Sequence, residues 1–440
     1  MGRQLRRRAV FWVLVVLLLV LAPLFALLAG ARPEGRPFWV ELSVALGFAG
    51  LALMGLQFLL TARIRYLTTP FGIDIVYHFH RQISVIATLL VLAHPIILFV
   101  GDPSNLARLN LIEAGWQART GVLSVVALLA LVVSSLWRQP LGLAYEPWRA
   151  AHGTLAVLAV ALAMAHVAIV GYHVATPWKR ALWIALPMLW IALLAYVRLI
   201  KPWLMLRRPY EVREVREERG GAYTLVLQPV GHPGFQFMPG QFAWLTLRGS
   251  PYTIREHPFS FSSSAAAGGQ VAFTIKELGD FTATIKEARP GQRAYLDGPF
   301  GVFSVDRNLA PGYVFVAGGV GITPIMSMLR TLADRRDPRP LLLLYANKTW
   351  DEATFREELD SLVERLALKV VHVIEEPDDG WQGERGFVDA EILGRYVPEE
   401  RASVDYFICG PDPMMDAVEE ALDGLGVPLG HMHSERYNLV

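Results

Sequence analysis

One cysteine, Cys409, stands in 440 residues. A lone thiol cannot build an internal disulfide framework, and it cannot hold an iron–sulfur cluster by thiolates, so any iron here needs other ligands. Charge is scarce as well: Asp, Glu, Lys and Arg make up 18% of the chain against 53% hydrophobic residues, at a mean hydropathy of +0.35. That balance excludes a disordered chain and exceeds what an ordinary soluble core absorbs. Acidic residues are rarest in the first 200 positions, which hold 16 Lys and Arg against 6 Asp and Glu, whereas residues 201–440 hold 25 against 34. The net charge of +1 therefore hides two halves of opposite sign. No basic stripe suggests nucleic acid as a partner, and there is no internal repeat or low-complexity tract. The length leaves room for two or three units.

Six apolar runs fill the first half, at roughly 11–30, 39–61, 76–100, 120–137, 151–171 and 181–197. Each is close to the ~20 residues a helix needs to cross a bilayer. The first follows Arg6, Arg7 and Arg8 and ends in Ala29-Gly30-Ala31, as a signal peptide would. Its apolar run is longer than the ~7–15 residues of a signal's hydrophobic region, so it reads as a span. Six spans put both ends on one side. The flanks then inside carry Arg3, Arg6, Arg7, Arg8, Arg63, Arg65, Arg81, Arg138, Arg149 and Arg198, and the outer ones Arg32, Arg36, Arg108, Arg119, Lys179 and Arg180. This bias predicts cytoplasmic N- and C-termini. The stretch from Lys201 to Arg208, with Trp203, reads as an interfacial linker.

Histidines recur inside these spans. His80 and His94 are 14 residues apart, and so are His152 and His166. Fourteen helical steps return to within about 40° of the starting direction and rise ~21 Å, so each helix shows two imidazoles on one face near opposite leaflets. The third and fifth spans run the same way, so the four can meet as His80 with His152 and His94 with His166. Two stacked bis-histidine haem sites would use that geometry, since low-spin iron takes two axial nitrogens. His78 falls on nearly the opposite face and reads as a boundary residue. His173, seven beyond His166, either lines an acceptor site at the outer end or is an ordinary loop histidine.

After Tyr210 the pattern changes to strand-like runs such as 224–230 and 241–247 between Pro and Gly turns, and from about 312 to strands alternating with helices, including 322–334 and a charged helix at 351–366. The fold class expected is a six-span α-helical membrane bundle fused to a small antiparallel β-barrel and a parallel α/β sheet. A flavin needs a hydroxyl near its reactive nitrogen and amides or a cation for its pyrophosphate. In the barrel, Ser260 of HPFSFSS suits the hydroxyl, Lys276 the cation, and Gly279, Asp280, Phe281 and Thr282 the amides. In the sheet, Gly318, Gly319 and Gly321 sit between a strand and a helix, where a pyrophosphate can approach the helix N-terminus. Cys409 ends a later strand, where it either faces a nicotinamide or is a buried inert thiol.

Taken in order, GQF (240–242), HPFSFSS (257–263), GDFT (279–282), DGPFG (297–301), AGGVGITP (317–324), CGP (409–411) and SERY (434–437) resemble the ferredoxin–NADP reductase module. Preceded by six spans with paired histidines, the chain resembles the ferric reductase and NADPH oxidase superfamily in its bacterial form, over nearly its whole length. The resemblance implies domains at 1–200 (di-haem membrane bundle), 209–308 (FAD) and 309–440 (NAD(P)H), with residues 201–208 between them. It places His257, Pro258, Phe259 and Ser260 on the flavin motif, and Gly318, Gly319, Gly321, Thr323 and Pro324 on the nucleotide loop. Cys409, Gly410, Pro411 and Glu435 fall near the hydride path, and Tyr437 on the aromatic that covers the flavin ring.

Two positions depart from the pattern. Leu98 stands where animal-type oxidases carry a further histidine, and residues 345–349 lack the arginine that commonly holds a 2′-phosphate, for which Lys348 or Arg356 is the substitute. The resemblance implies a membrane enzyme of the bacterial cytoplasmic (inner) membrane. It would pass electrons from cytoplasmic NADPH, or else NADH, through FAD and two haem b to oxygen or a ferric chelate outside. The alternative is a membrane subunit that donates electrons to a partner protein.

Overall fold

Backbone groups inside a bilayer can be satisfied only within their own segment, which leaves helices as the form open to these apolar runs. In the computed structural model, which describes residues 3–29, 35–69 and 71–436, the runs are indeed helices. They are α1 (Arg3–Leu28), α2 (Phe38–Thr61), the single turn α3 (Arg65–Thr68), α4 (Ile73–Gly101), α5 (Trp116–Leu136), α6 (Tyr145–Val170) and α7 (Pro177–Ala195). Among the described residues, six helices are long and apolar enough to cross a membrane. The last does not stop where the apolar pattern fades. A π-helical turn at Tyr196–Ile200 carries α7 into α8 (Lys201–Leu206), so the stretch expected to be a linker is mostly helical. The chain divides into two compact units, the first ending at Pro202 and the second starting at Trp203.

In the first unit the closest helix pairs are α2 with α4 and α5 with α6. Small residues permit this, as membrane helices associate by close contact rather than by the hydrophobic effect. A Cβ on Gly50 would come within 2.6 Å of Val91, and Ser124 donates to the Ala159 carbonyl at 2.7 Å across the α5–α6 seam. Phe48, Leu51, Met54, Trp183 and Trp190 fill the interior, while Leu18, Phe25, Leu89, Ile184 and Met188 face outward. In α4, Pro95 directly follows His94 and has no N–H to give the Val91 carbonyl, a local loosening that such helices tolerate.

The second unit opens with antiparallel strands β1 (Tyr210–Glu218), β2 (Ala222–Pro229), β3 (Phe242–Leu247), β4 (His257–Ser260), β5 (Val271–Lys276) and, after the short helix α9 (Asp280–Ala283), β6 (Arg293–Phe300). Their order is β4-β3-β6-β1-β2-β5, and a bridge between Phe261 and Phe273 joins the two edges into a barrel-like sheet. Leu225, Leu245, Phe261 and Phe273 are among its wholly buried residues. A parallel sheet follows: β7 (Tyr313–Gly318), α10 (Ile322–Asp334), β8 (Leu341–Asn347), α11 (Arg356–Arg365), β9 (Leu368–Ile374), β10 (Glu384–Arg385), α12 (Ala390–Tyr396), β11 (Asp405–Cys409), α13 (Asp412–Gly424) and β12 (Met432–Ser434). Strand order is β10-β9-β8-β7-β11-β12, with α10 and α11 covering one face and α12 and α13 the other. Both faces being covered explains why β7 and β8 read as unbroken apolar runs rather than alternating ones.

Candidate functional site

The histidines of α4 and α6 do meet. The rings of His94 and His166 lie 6.4 Å apart between centroids, with their planes at 63°. His94 Nδ1 donates to the Ser43 carbonyl at 3.0 Å, and His166 Nδ1 to that of Gln117 at 2.7 Å. A carbonyl can only accept, so each Nδ1 carries the proton and each Nε2 keeps its lone pair, the tautomer a metal ligand needs. Glycines make room for the rings: a Cβ on Gly47 would be 3.2 Å from His94, and one on Gly121 would be 3.0 Å from His166.

The second pair lies near the other end of the same helices. Ser135 Oγ donates to the Leu131 carbonyl at 2.7 Å, so its remaining role toward His152 Nδ1, at 3.0 Å, is to accept. That again leaves Nε2 of His152 free to ligate. His80 is close enough for a charge on His152 to act on it, and among the described residues its buried Nδ1 has no hydrogen-bond partner. His78 is exposed.

The donor set fits haem. Among the described residues no group of three or more His, Cys, Asp or Glu converges on a metal position. Two facing imidazoles suit an iron whose other four ligands come from a macrocycle. With about 2.0–2.1 Å from metal to nitrogen and roughly 1.1 Å on to each ring centre, two axial rings on one iron lie about 6–6.5 Å apart. The His94–His166 spacing falls in that range.

His173 is no free loop histidine. It follows Gly171, which ends α6 with φ at 67°, and its Nε2 accepts from Arg36 at 2.9 Å and lies 3.2 Å from a Glu41 oxygen. Burial pushes its pKa down, and the Glu41 carboxylate opposes that shift. Sequence reasoning missed this cluster, since Arg36 and His173 are 137 residues apart.

In the barrel lobe, β4 pairs with β3 so that Ser260 lies opposite Phe242, buried. The GDFT segment folds back on the HPFS strand: Phe281 stacks on His257 at 4.0 Å and runs parallel to Phe259 at 6.0 Å. Leu278 and Gly279 both donate their amides to Thr282 Oγ1 at 2.9 Å. Lys276 is turned the other way, into an ion pair with Glu352 at 3.1 Å. The cation expected for a pyrophosphate is thus engaged by the nucleotide lobe.

In the parallel lobe the glycine loop and the CGP turn are one structure. A Cβ on Gly321 would lie 2.3 Å from the Cys409 carbonyl, and Gly318 touches Gly410, with Pro411 and Met414 beside it. Thr323 is buried and donates to the carbonyls of Val320 (2.8 Å) and Thr274 (3.3 Å), which ties this loop to β5. Pro324 is buried in the first turn of α10. Cys409 is fully buried and in no disulfide. Glu435, just after β12, is buried with Oε1 where a Cβ on Gly301 of the DGPFG turn would be 2.9 Å away. Tyr437 lies outside the described residues, as does Arg32. Arg330 was not anticipated: from α10 it donates to the Ser262 carbonyl at 2.5 Å and grips Glu358 through two bonds of 2.7 and 2.6 Å.

Residues 46–163 match the family described as "Ferric reductase like transmembrane component", and residues 315–420 the "Oxidoreductase NAD-binding domain". The chain is an oxidoreductase that carries both segments in one sequence. It joins a ferric reductase-like membrane component, embedded in a lipid bilayer, to an FAD/NAD-binding reductase module.

Curated relatives resemble part of the chain. The glycine betaine monooxygenase reductase subunit of Pseudomonas aeruginosa is 31% identical over 219 residues, 46% of this chain and 57% of that protein. NADH-cytochrome b5 reductase 1 of Debaryomyces hansenii is 31% identical over 153 residues, 34% of this chain and 54% of that one. The chain thus spans little more than half the length of these relatives. Among solved structures, the FAD/NAD-binding domain of nitric oxide dioxygenase from Vibrio cholerae aligns over 52% of this chain and 97% of its own, at 26% identity and a TM-score of 0.46. Flavohemoglobin from Malassezia yamatoensis aligns over 91% and 96%, at 16% identity and a TM-score of 0.49.

Proposed function

We propose that the chain carries electrons from cytoplasmic NAD(P)H through FAD and two b-type haems across a bacterial cytoplasmic membrane to a small-molecule acceptor, oxygen or a ferric complex. The observation that carries this reading is the His94–His166 pair, facing at 6.4 Å with both Nδ1 protons spent on backbone carbonyls. His94 and His166 would hold one haem and His80 and His152 the other, the two histidines of each helix being some 21 Å apart at the helical rise. Bound FAD supplies the conversion of a two-electron hydride into single-electron steps.

The protein's own groups bind, orient and exclude water. The amides of the Gly318–Gly321 loop receive the nucleotide pyrophosphate at the start of α10, where the helix dipole favours an anion. Ser260 presents a hydroxyl from a buried strand end to the flavin, and the Cys409–Pro411 turn with Glu435 receives the nicotinamide. On this reading residues 1–200 form the haem domain, 201–208 the connection, 209–308 the FAD lobe and 309–440 the NAD(P)H lobe. Both termini lie on the cytoplasmic side, as the arginine bias of the flanks supports.

Purified full-length chain should contain two haems by the pyridine haemochrome assay, and His94→Leu or His166→Leu should lower that to one. Haem absent from correctly folded protein would end this reading. After reduction by nucleotide, oxygen or ferric citrate should reoxidise the haem. Haem that stays reduced with both until a protein partner is added would displace the small-molecule acceptor.

A further inference from the structure

A dinucleotide lies across the carboxyl ends of parallel strands at the point where strand order reverses. Here that point is between β7 and β11. The β11 side carries Cys409 and, through β12, Glu435 beside Gly301 of the flavin lobe, so the nicotinamide half belongs there. From the glycine loop the adenosine half must leave over the neighbouring strand β8, whose Ala346 is in register with Gly318. One strand spacing of about 4.8 Å then brings its ribose to the tip of β8, Asn347 and Lys348.

That tip is acidic. The amides of Glu375 and Glu376 donate to the carbonyls of Asn347 (3.0 Å) and Lys348 (2.8 Å), which fastens the segment after β9 to the end of β8. Glu376 closes on Lys348 Nζ at 3.5 Å, both side chains more than half exposed, and Asp378 and Asp379 follow. The other cation near in sequence is committed elsewhere. Arg356 lies over the Trp350 ring at 4.7 Å, donates to the Trp350 carbonyl at 3.0 Å and pairs with Glu357 at 3.1 Å, with 16% of its side chain exposed. A 2′-phosphate would bring between one and two negative charges to this edge at neutral pH. A ribose hydroxyl brings none and can donate to a carboxylate.

We infer that the site takes NADH and rejects its 2′-phosphorylated counterpart, with Glu376 setting the preference by holding Lys348. This reverses the NADPH preference expected from the resemblance, and it rests on the reading of the second unit as a nucleotide-oxidising reductase.

The test uses the full chain in detergent with FAD bound and ferricyanide as acceptor. NADH should exceed NADPH in kcat/KM by about tenfold or more, chiefly through KM, as expected for a repulsion felt equally in the bound and reacting states. Glu376→Lys should bring the ratio down by about tenfold or more, by lowering the KM for NADPH and raising that for NADH. Binding alone gives a second readout: 5′-ADP should bind more tightly than 2′,5′-ADP, and the variant should reverse the order. NADPH used as well as NADH by the wild type, or a ratio untouched by Glu376→Lys, overturns the inference and leaves the reductase reading standing. Oxidation of neither nucleotide by flavin-loaded protein overturns both.

Discussion

A neutral imidazole has one proton to give, and where it goes decides what the other nitrogen can do. Backbone carbonyls take it from His94 and His166, and a serine that has already spent its own proton takes it from His152. His372 on β9 is the contrasting case. Its ring is wedged between Tyr345 and Trp350, its Nδ1 has no partner among the described residues, and burial pushes its pKa down to about 4, with Asp360 opposing the shift and Arg356 adding to it. In the unfolded chain the same ring takes up its proton near 6.5. Between those values the unfolded state binds more protons, so stability is lost as pH falls from 6.5 towards 4, by about 1–3 kcal/mol. Amide exchange of β8 and β9 in the full chain, corrected for its intrinsic pH dependence, should show protection dropping across that window in wild type and holding in His372→Phe. An equal drop in both would clear His372 of the effect.

At the scale of elements, the α5–α6 pair shows how little space separates a packed seam from a ligand site. A Cβ on Gly121 would lie only 3.0 Å from His166 Nδ1, tighter than ordinary contact, so Gly121→Val should push the ring off its carbonyl and cost the proposed haem at that end alone. Half the haem in the pyridine haemochrome assay, with folding unchanged by circular dichroism, is the expected result; a full complement would show that the ring accommodates the methyls. The spans and the 14-residue spacing of the histidines were legible because period and hydropathy are local properties. The charged helix expected at 351–366 was legible only in part. It begins at Arg356, because Phe355 takes a φ of 64° and tucks its ring beneath the Arg330 guanidinium at 4.7 Å. Nothing within that stretch announces a partner 25 residues earlier.

At the scale of the reductase unit, its two lobes are pinned by a few charged side chains. Arg330 reaches from α10 to the Ser262 carbonyl behind the flavin motif and to Glu358 on α11, with 17% of its side chain exposed. Arg219, from the β1–β2 turn, pairs with Glu357 at 2.7 Å. Losing a largely buried, bidentate guanidinium leaves a carboxylate and a carbonyl without their donor, at a cost of about 1–3 kcal/mol. Arg330→Met should therefore release flavin several degrees earlier in a fluorescence-monitored melt of the full chain, and Arg330→Lys should recover part of the loss. Release at the wild-type temperature would mean the lobes are held by other contacts.

Sequence alone determined the features that depend on neighbours within a few turns. These are six apolar segments of membrane length, imidazoles recurring 14 residues apart, a change to strand patterning after Tyr210, and glycine turns at 318–321 and 410. Each follows from helical or strand period and from what a bilayer or a pyrophosphate can accept. Tertiary structure alone decided where charge and protons are spent. Lys276 goes to Glu352, Lys348 to Glu376, Arg36 to His173, and the Nδ1 protons of His94 and His166 to Ser43 and Gln117. Such pairings join residues tens of positions apart and turn on distances of 2.7 to 3.5 Å. A Coulombic or hydrogen-bonded contact has no period along the chain, so only folding reveals it.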